Sequence, residues 1–210
     1  MAIKAKPKAK PKLAKLKAAK PHSANPKPAA TKPAMLAERI SQTPRLSSAA
    51  ESRARVKVWL AEIAATKAGK SLAKIAAVSP KVTAMMEGLA DGSPYLWDLV
   101  AAVPARWVRL LDSDPDTRIA EVLAKVGSAA GEWADDAAAM SALRQMKAEA
   151  SLLIAVADIG GVWDVPQVTR ALTELADTAV SAAVRYLLRK AKKGKAVFFA
   201  GNGRIGKLIE

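Results

Sequence analysis

From Met35 to about Lys193, apolar residues recur at intervals of three and four, and Pro stands at the start of one segment after another. That spacing puts one apolar stripe on each segment only if the backbone is helical. Val56, Leu60 and Ile63 share a face, as do Val82, Met85, Met86 and Leu89. Leu96, Leu99 and Val103 follow, then Trp107, Leu110 and Leu111, then Ile119, Val122, Leu123 and Val126. Ser79-Pro80, Ser93-Pro94 and Asp114-Pro115 each set a capping side chain before a Pro whose missing N–H costs nothing in a first helical turn.

The last two stripes are longer. Residues 133–158 carry Met140, Leu143, Met146, Ala150, Leu153, Ile154 and Ala157 on one side, and Gly160-Gly161 ends the run. Asp164 then opens a helix to about residue 192, with Gln167 placed to complete a capping box. Val168, Leu172, Leu175, Ala179, Ala182 and Tyr186 form its seam. Lys190, Lys192 and Lys193 suit the negative end of its dipole. Two long helices joined by a short loop pack as an antiparallel pair. Alanine dominates the apolar residues and aromatics are 4%, which favours helix over sheet. The expected fold class is therefore all-α, a multi-helix domain at 35–193 ending in that pair.

Charge separates the domain from its flanks. Residues 1–34 hold ten Lys, six Pro and no acid, so two-thirds of the net +15 lies there. Such a stretch can bury almost nothing against its ordering entropy, and a disordered basic tail is expected. Its contacts with nucleic acid would be non-specific and salt-sensitive, and a solvated, solubilising extension is the simpler reading. Residues 194–210 read as a glycine-rich terminal coil. Val197, Phe198 and Phe199 suggest a strand without a partner. No segment offers the roughly 20 apolar residues of a membrane span, and the basic N-terminus lacks a signal-peptide core. A cytoplasmic location is expected.

The residues exclude much chemistry. There is no Cys, and His22 is the one His. Thiol catalysis, Cys-based zinc sites and His triads are thereby excluded. Gly201-Asn202-Gly203-Arg204-Ile205-Gly206-Lys207 matches G-x-G-x-x-G, but a dinucleotide site needs a following helix, a second strand and an acid about 20 residues on. Asp112, Asp114 and Asp116 have calcium-loop spacing, yet Thr117 and Leu123 stand where Gly and Glu are required. These acids, with Asp135 and Asp136, read as helix starts. Lys67, Lys70 and Lys74 read as a solvated face, and Trp59, Trp107 and Trp163 as core anchors. No catalytic, cofactor-binding or metal-binding residue is expected.

Three longer stretches resemble a known family. Leu89–Trp97 (LADGSPYLW), Met146–Trp163 (MKAEASLLIAVADIGGVW) and residues 164–189 are similar to the early helical region of bacterial glutamine synthetase adenylyltransferase/adenylyl-removing enzymes, of alphaproteobacterial type. LAERI and VWLAEIAAT, between Leu36 and Thr66, add to the resemblance, which covers about 36–192. It implies AMP transfer to and from a tyrosine of glutamine synthetase, with Mg²⁺ and ATP as cofactors and a PII protein as regulator. The family's Asp-x-Asp metal pair would follow about Lys193. No acid stands between Asp177 and Glu210, so no catalytic residue carries over. A truncation or shifted reading frame near residue 193, and a chain inactive alone, are expected.

Overall fold

The computed structural model describes residues 34–193 and the backbone of 198–200 and 204–206. The readings made above for the tail and for most of the Gly201–Lys207 motif lie outside the described residues. In chain order the elements are α1 (Leu36–Arg39), α2 (Ala49–Ile63), α3 (Lys67–Val78), α4 (Lys81–Gly92), α5 (Pro94–Ala102), α6 (Pro104–Leu111), α7 (Pro115–Ala129), α8 (Asp136–Ile159), α9 (Val165–Lys193), β1 (Phe198–Ala200) and β2 (Arg204–Gly206). The domain is all-helical from 36 to 193. Among the described residues no helix is long and apolar enough to cross a membrane.

The helices share one continuous core. α2 lies on α4, α4 on α5, and α3 on α6, while α7, α8 and α9 pack on one another and α5 joins α8. Val82, Met85, Met86 and Leu89 are buried together, as are Trp107, Leu110 and Leu111. Trp107 is wholly buried, and its indole N–H has no acceptor. An unpaired buried donor costs about 1–3 kcal/mol. A Trp burying roughly 150–250 Å² at about 25 cal/mol per Å² gains about 4–6 kcal/mol, so packing decides its position.

Several helix ends follow the local chemistry. Ser93 accepts from Leu96 N–H, Asp114 from Thr117 N–H and Asp135 from Ala138 N–H. Asp164 accepts from Gln167 N–H at 2.8 Å, and Gln167 Oε1 accepts from Asp164 N–H at 3.0 Å, a reciprocal box that opens α9. Gly161 turns the chain with φ +63°, a conformation that costs any residue with a Cβ. Thr66 caps α3 through Gly69 N–H, and a Cβ on Gly69 would lie 2.1 Å from the Ile63 carbonyl oxygen, so α3 can leave α2 this tightly only at glycine.

Other expectations are corrected. Ser79 makes no capping bond: its N–H closes α3 on Ile75, and α4 begins at Lys81. Val103 ends α5 half-exposed, and Trp97 and Val100 carry that helix's buried face. Met140 is exposed beside buried Ala139, and Leu172 beside buried Ala171. In both helices the small Ala is buried and the larger neighbour faces outward. The glycine-rich end is not coil throughout. β1 pairs antiparallel with β2, Phe198 opposite Gly206 and Ala200 opposite Arg204, so the expected lone strand has a partner four residues on.

Two substitutions test the turn between α8 and α9. Asp164→Ala is expected to cost about 1 kcal/mol in urea unfolding. Gly161→Ala is expected to cost about 1–3 kcal/mol, because it combines a strained φ with a Cβ placed 2.6 Å from Ser41 Oγ. Unchanged midpoints in both would place the boundary elsewhere.

Candidate functional site

The stretches that carry the resemblance are occupied in holding helices together. In Leu89–Trp97, Leu89 and Ala90 are buried, Ser93 and Pro94 open α5, and Trp97 meets Trp59 edge-on with ring centres 5.4 Å apart. Asp91 has the widest reach. It accepts from Ser47 N–H at 2.6 Å, Ser48 N–H at 2.9 Å and Ser52 Oγ at 2.7 Å. Ser48, the N-cap of α2, makes no capping bond with its own side chain. A carboxylate from the end of α4 instead takes the Ser47 and Ser48 amides at the entrance to α2, at the positive end of the helix dipole. The Ser47 amide, with Ser52 and Ser48, holds the Asp91 carboxyl below its ordinary range.

Met146–Trp163 behaves likewise. Glu149 accepts from both Nε and Nη2 of Arg118, with Arg109 3.6 Å away. The Gly160 carbonyl accepts from Ser41 N–H at 2.8 Å and Gln42 N–H at 3.2 Å. Trp163 donates its indole N–H to Asp116 at 2.8 Å. Arg39 pairs with Asp116 at 2.7 Å and Asp114 at 3.2 Å, and reaches the Val162 carbonyl. Of the acids with calcium spacing, Asp114 caps α7 and pairs with Arg39, Asp116 pairs with Arg39, and Asp112 stands at the end of α6 rather than at a helix start. Trp59, Trp107 and Trp163 are buried as expected, and Lys67, Lys70 and Lys74 are exposed.

Trp133 lines two hollows. The larger, about 410 Å³, is lined by Gly131, Trp133, Asp136, Tyr186, Arg189 and Lys190 among others. Trp133 and Tyr186 form its aromatic wall, with ring centres 5.9 Å apart. Asp136 accepts from Tyr186 Oη at 2.6 Å and from Lys190 Nζ at 2.8 Å. The Lys190 and Tyr186 hydrogen bonds hold the Asp136 carboxyl below its usual value, and Asp136 in turn pushes the Tyr186 phenol up to about 12. A phenol held protonated is not a base at neutral pH. The smaller hollow, about 190 Å³, runs between α7 and α8 under Trp133, with Val122, Val126 and Met146 on its floor. These hollows can take an apolar or planar group. Their lining brings no nucleophile onto a base, and among the described residues no three acidic or His side chains cluster as metal ligands. Gly206 of the glycine motif lies in a strand rather than opening a helix.

Sequence reasoning did not find Asp91, Arg39 or Glu149, whose partners lie far along the chain. It left Trp133 unassigned. The exposed row Val165, Leu172, Val180, Val184 and Leu187 on α9 was also missed, although apolar residues on two sides of one helix were a visible signal.

The sequence model of the glutamate-ammonia ligase adenylyltransferase family matches residues 82–203. The chain is 44% identical over 161 residues to the bifunctional glutamine synthetase adenylyltransferase/adenylyl-removing enzyme of Bradyrhizobium diazoefficiens, covering 76% of this chain and 16% of that protein. It is 41% identical over 163 residues to the enzyme of the same name from Rhodopseudomonas palustris, covering 77% and 16%. For the one from Xanthobacter autotrophicus the match is 44% over 115 residues, covering 55% and 12%. The chain therefore spans about one-sixth of the length of these curated relatives. No solved structure matches it.

Two pH experiments follow. Above the ordinary carboxyl value of 3.8 the lowered Asp91 pKa contributes its full stability, which is lost as pH falls through the lowered value. Asp91→Ala should therefore lower the melting temperature at pH 7, and the gap to wild type should close below about pH 4. The raised Tyr186 pKa works in the opposite sense, stabilising below 10.0 and lost as pH rises through about 12. In ultraviolet titration one of the two tyrosines should ionise near 12, and Asp136→Asn should bring it back toward 10.0.

Proposed function

The chain belongs to the glutamate-ammonia ligase adenylyltransferase family, and from that premise we propose that it supplies the helical scaffold of a cytoplasmic enzyme that adds AMP to glutamine synthetase and removes it. The chemistry, with Mg²⁺ and ATP, belongs to other polypeptide of that enzyme. Glutamine synthetase is the substrate partner, and a PII protein the regulator.

One observation carries this reading. Several of the acids that phosphoryl chemistry could use as metal ligands are committed to the fold, within the stretches most like the family and beside them. Asp91 holds the Ser48 amide at the entrance to α2, Asp114 and Asp116 hold Arg39, Asp135 caps α8, and Glu149 pairs with Arg118. Metal-assisted AMP transfer requires carboxylates free to clamp an ion against phosphate oxygens. A carboxylate taken by amides and guanidinium groups serves position instead. The family resemblance in this chain is thus a resemblance of scaffold.

The test has two arms. Purified chain incubated with glutamine synthetase, Mg²⁺ and labelled ATP should transfer no AMP above the blank, and should release none from adenylylated glutamine synthetase. In the Bradyrhizobium diazoefficiens relative, exchanging the matched stretch for residues 36–193 of this chain should leave both activities within about tenfold of the parent, a loss of no more than about 1.4 kcal/mol in transition-state stabilisation. Mg²⁺-dependent transfer by this chain alone, or a folded chimera without activity, overturns the proposal.

A further inference from the structure

α9 is 29 residues long, about 43 Å. One side is spent on the domain. Val168, Ala171, Leu175, Ala179, Ala182 and Tyr186 face α7 and α8. A second row, Val165, Leu172, Val180, Val184 and Leu187, is half-exposed or more: Val165 is 75% exposed, Val180 64% and Leu187 59%, with Leu188, 43% exposed, just outside it. At 100° per residue these five fall in an arc of about 120°, and Thr169, Thr173, Ala176 and Ala183 fill the space between them. Every charged residue of α9 between Val165 and Leu187, namely Arg170, Glu174, Asp177 and Arg185, falls outside that arc. A surface helix carries one apolar stripe and one polar face, whereas a helix with two apolar stripes has two partners.

The family match runs through α9, so the relatives have this helix. The matched stretch is 16% of their length, and the other five-sixths is part of the same molecule. Tethered polypeptide meets a neighbouring surface at millimolar effective concentration, so even a modest apolar stripe becomes covered. We propose that the Val165–Leu187 row of α9 is the seam on which the family enzyme's remaining polypeptide docks through an apolar, uncharged helix face. This rests on the scaffold reading above and deepens it: α9 becomes the element that joins scaffold to catalytic polypeptide.

Paired substitutions in two intact proteins test it. In this chain, Val180→Asp with Leu187→Asp should keep the helical circular dichroism and move the melting temperature by less than about 2 °C, because both sites face water. The wild-type chain should sediment as a monomer. At the aligned positions of the full-length Bradyrhizobium diazoefficiens enzyme, the same two aspartates should lower the melting temperature by at least about 5 °C and open the protein to limited trypsin digestion. If the relative tolerates them unchanged, the seam is overturned. If this chain is a dimer that the two aspartates split, the occupant is a second copy and the proposal is likewise overturned. A working chimera beside a tolerant relative removes this seam and keeps the scaffold reading. A dead chimera beside a destabilised relative does the reverse.

Discussion

The fold depends on the corner between α8 and α9. Its interfaces are rich in alanine, which buries little area per residue and fixes helix position only weakly. Direction has to come from polar contacts, and the corner concentrates them. The Gly160 carbonyl takes two amides from the segment after α1, Arg39 binds two carboxylates at the start of α7, and Trp163 donates to one of the same carboxylates. Three parts of the chain are thereby held in one register. Gly161 makes this possible, because its positive φ points the flanking carbonyls toward Ser41 rather than along the helix.

Asp91 repeats the principle on a smaller scale. α2 has no side chain of its own to cap its first turn, and the carboxylate at its entrance comes from another helix. The stretch containing Asp91 is one of those by which the family is recognised, and the stretch containing Gly160 is another. Both are explained by packing and capping. Similarity of this kind transmits architecture, and the catalytic reading of the whole enzyme has to rest on residues elsewhere.

Much of this was legible in the sequence. The stripes at Val82–Leu89 and Trp107–Leu111, the box at Asp164 and Gln167, and the glycine turn all depend on near neighbours, and local spacing reports them well. Errors arose where size and burial part company. An apolarity count prefers Leu172 to Ala171 and Met140 to Ala139, but the smaller residue of each pair is the buried one. Asp91, Arg39 and Glu149 stayed hidden because their partners stand 31 to 123 residues away. The larger hollow beside Trp133 is lined by residues from the loop after α7, the start of α8 and the end of α9, which no single stripe reveals. The pairing of Phe198–Ala200 with Arg204–Gly206 was missed because the segment was read as coil with a strand that lacks a partner.

The ties of the first helix also set an order of events during synthesis. Leu36 and Ile40 are buried, yet their segment is fastened by the Ser113 and Gly160 carbonyls and by Asp114 and Asp116. At about 5–20 residues per second, a ribosome that has placed Arg39 takes roughly 6–25 s to reach Val162. The first of the described helices is therefore fully fastened only when the corner between α8 and α9 has been made. Leu36 gains its partners when α6 and Ser113 have been made, and the ties of Ser41 to Gly160 and of Arg39 to Val162 close only at the end of that interval.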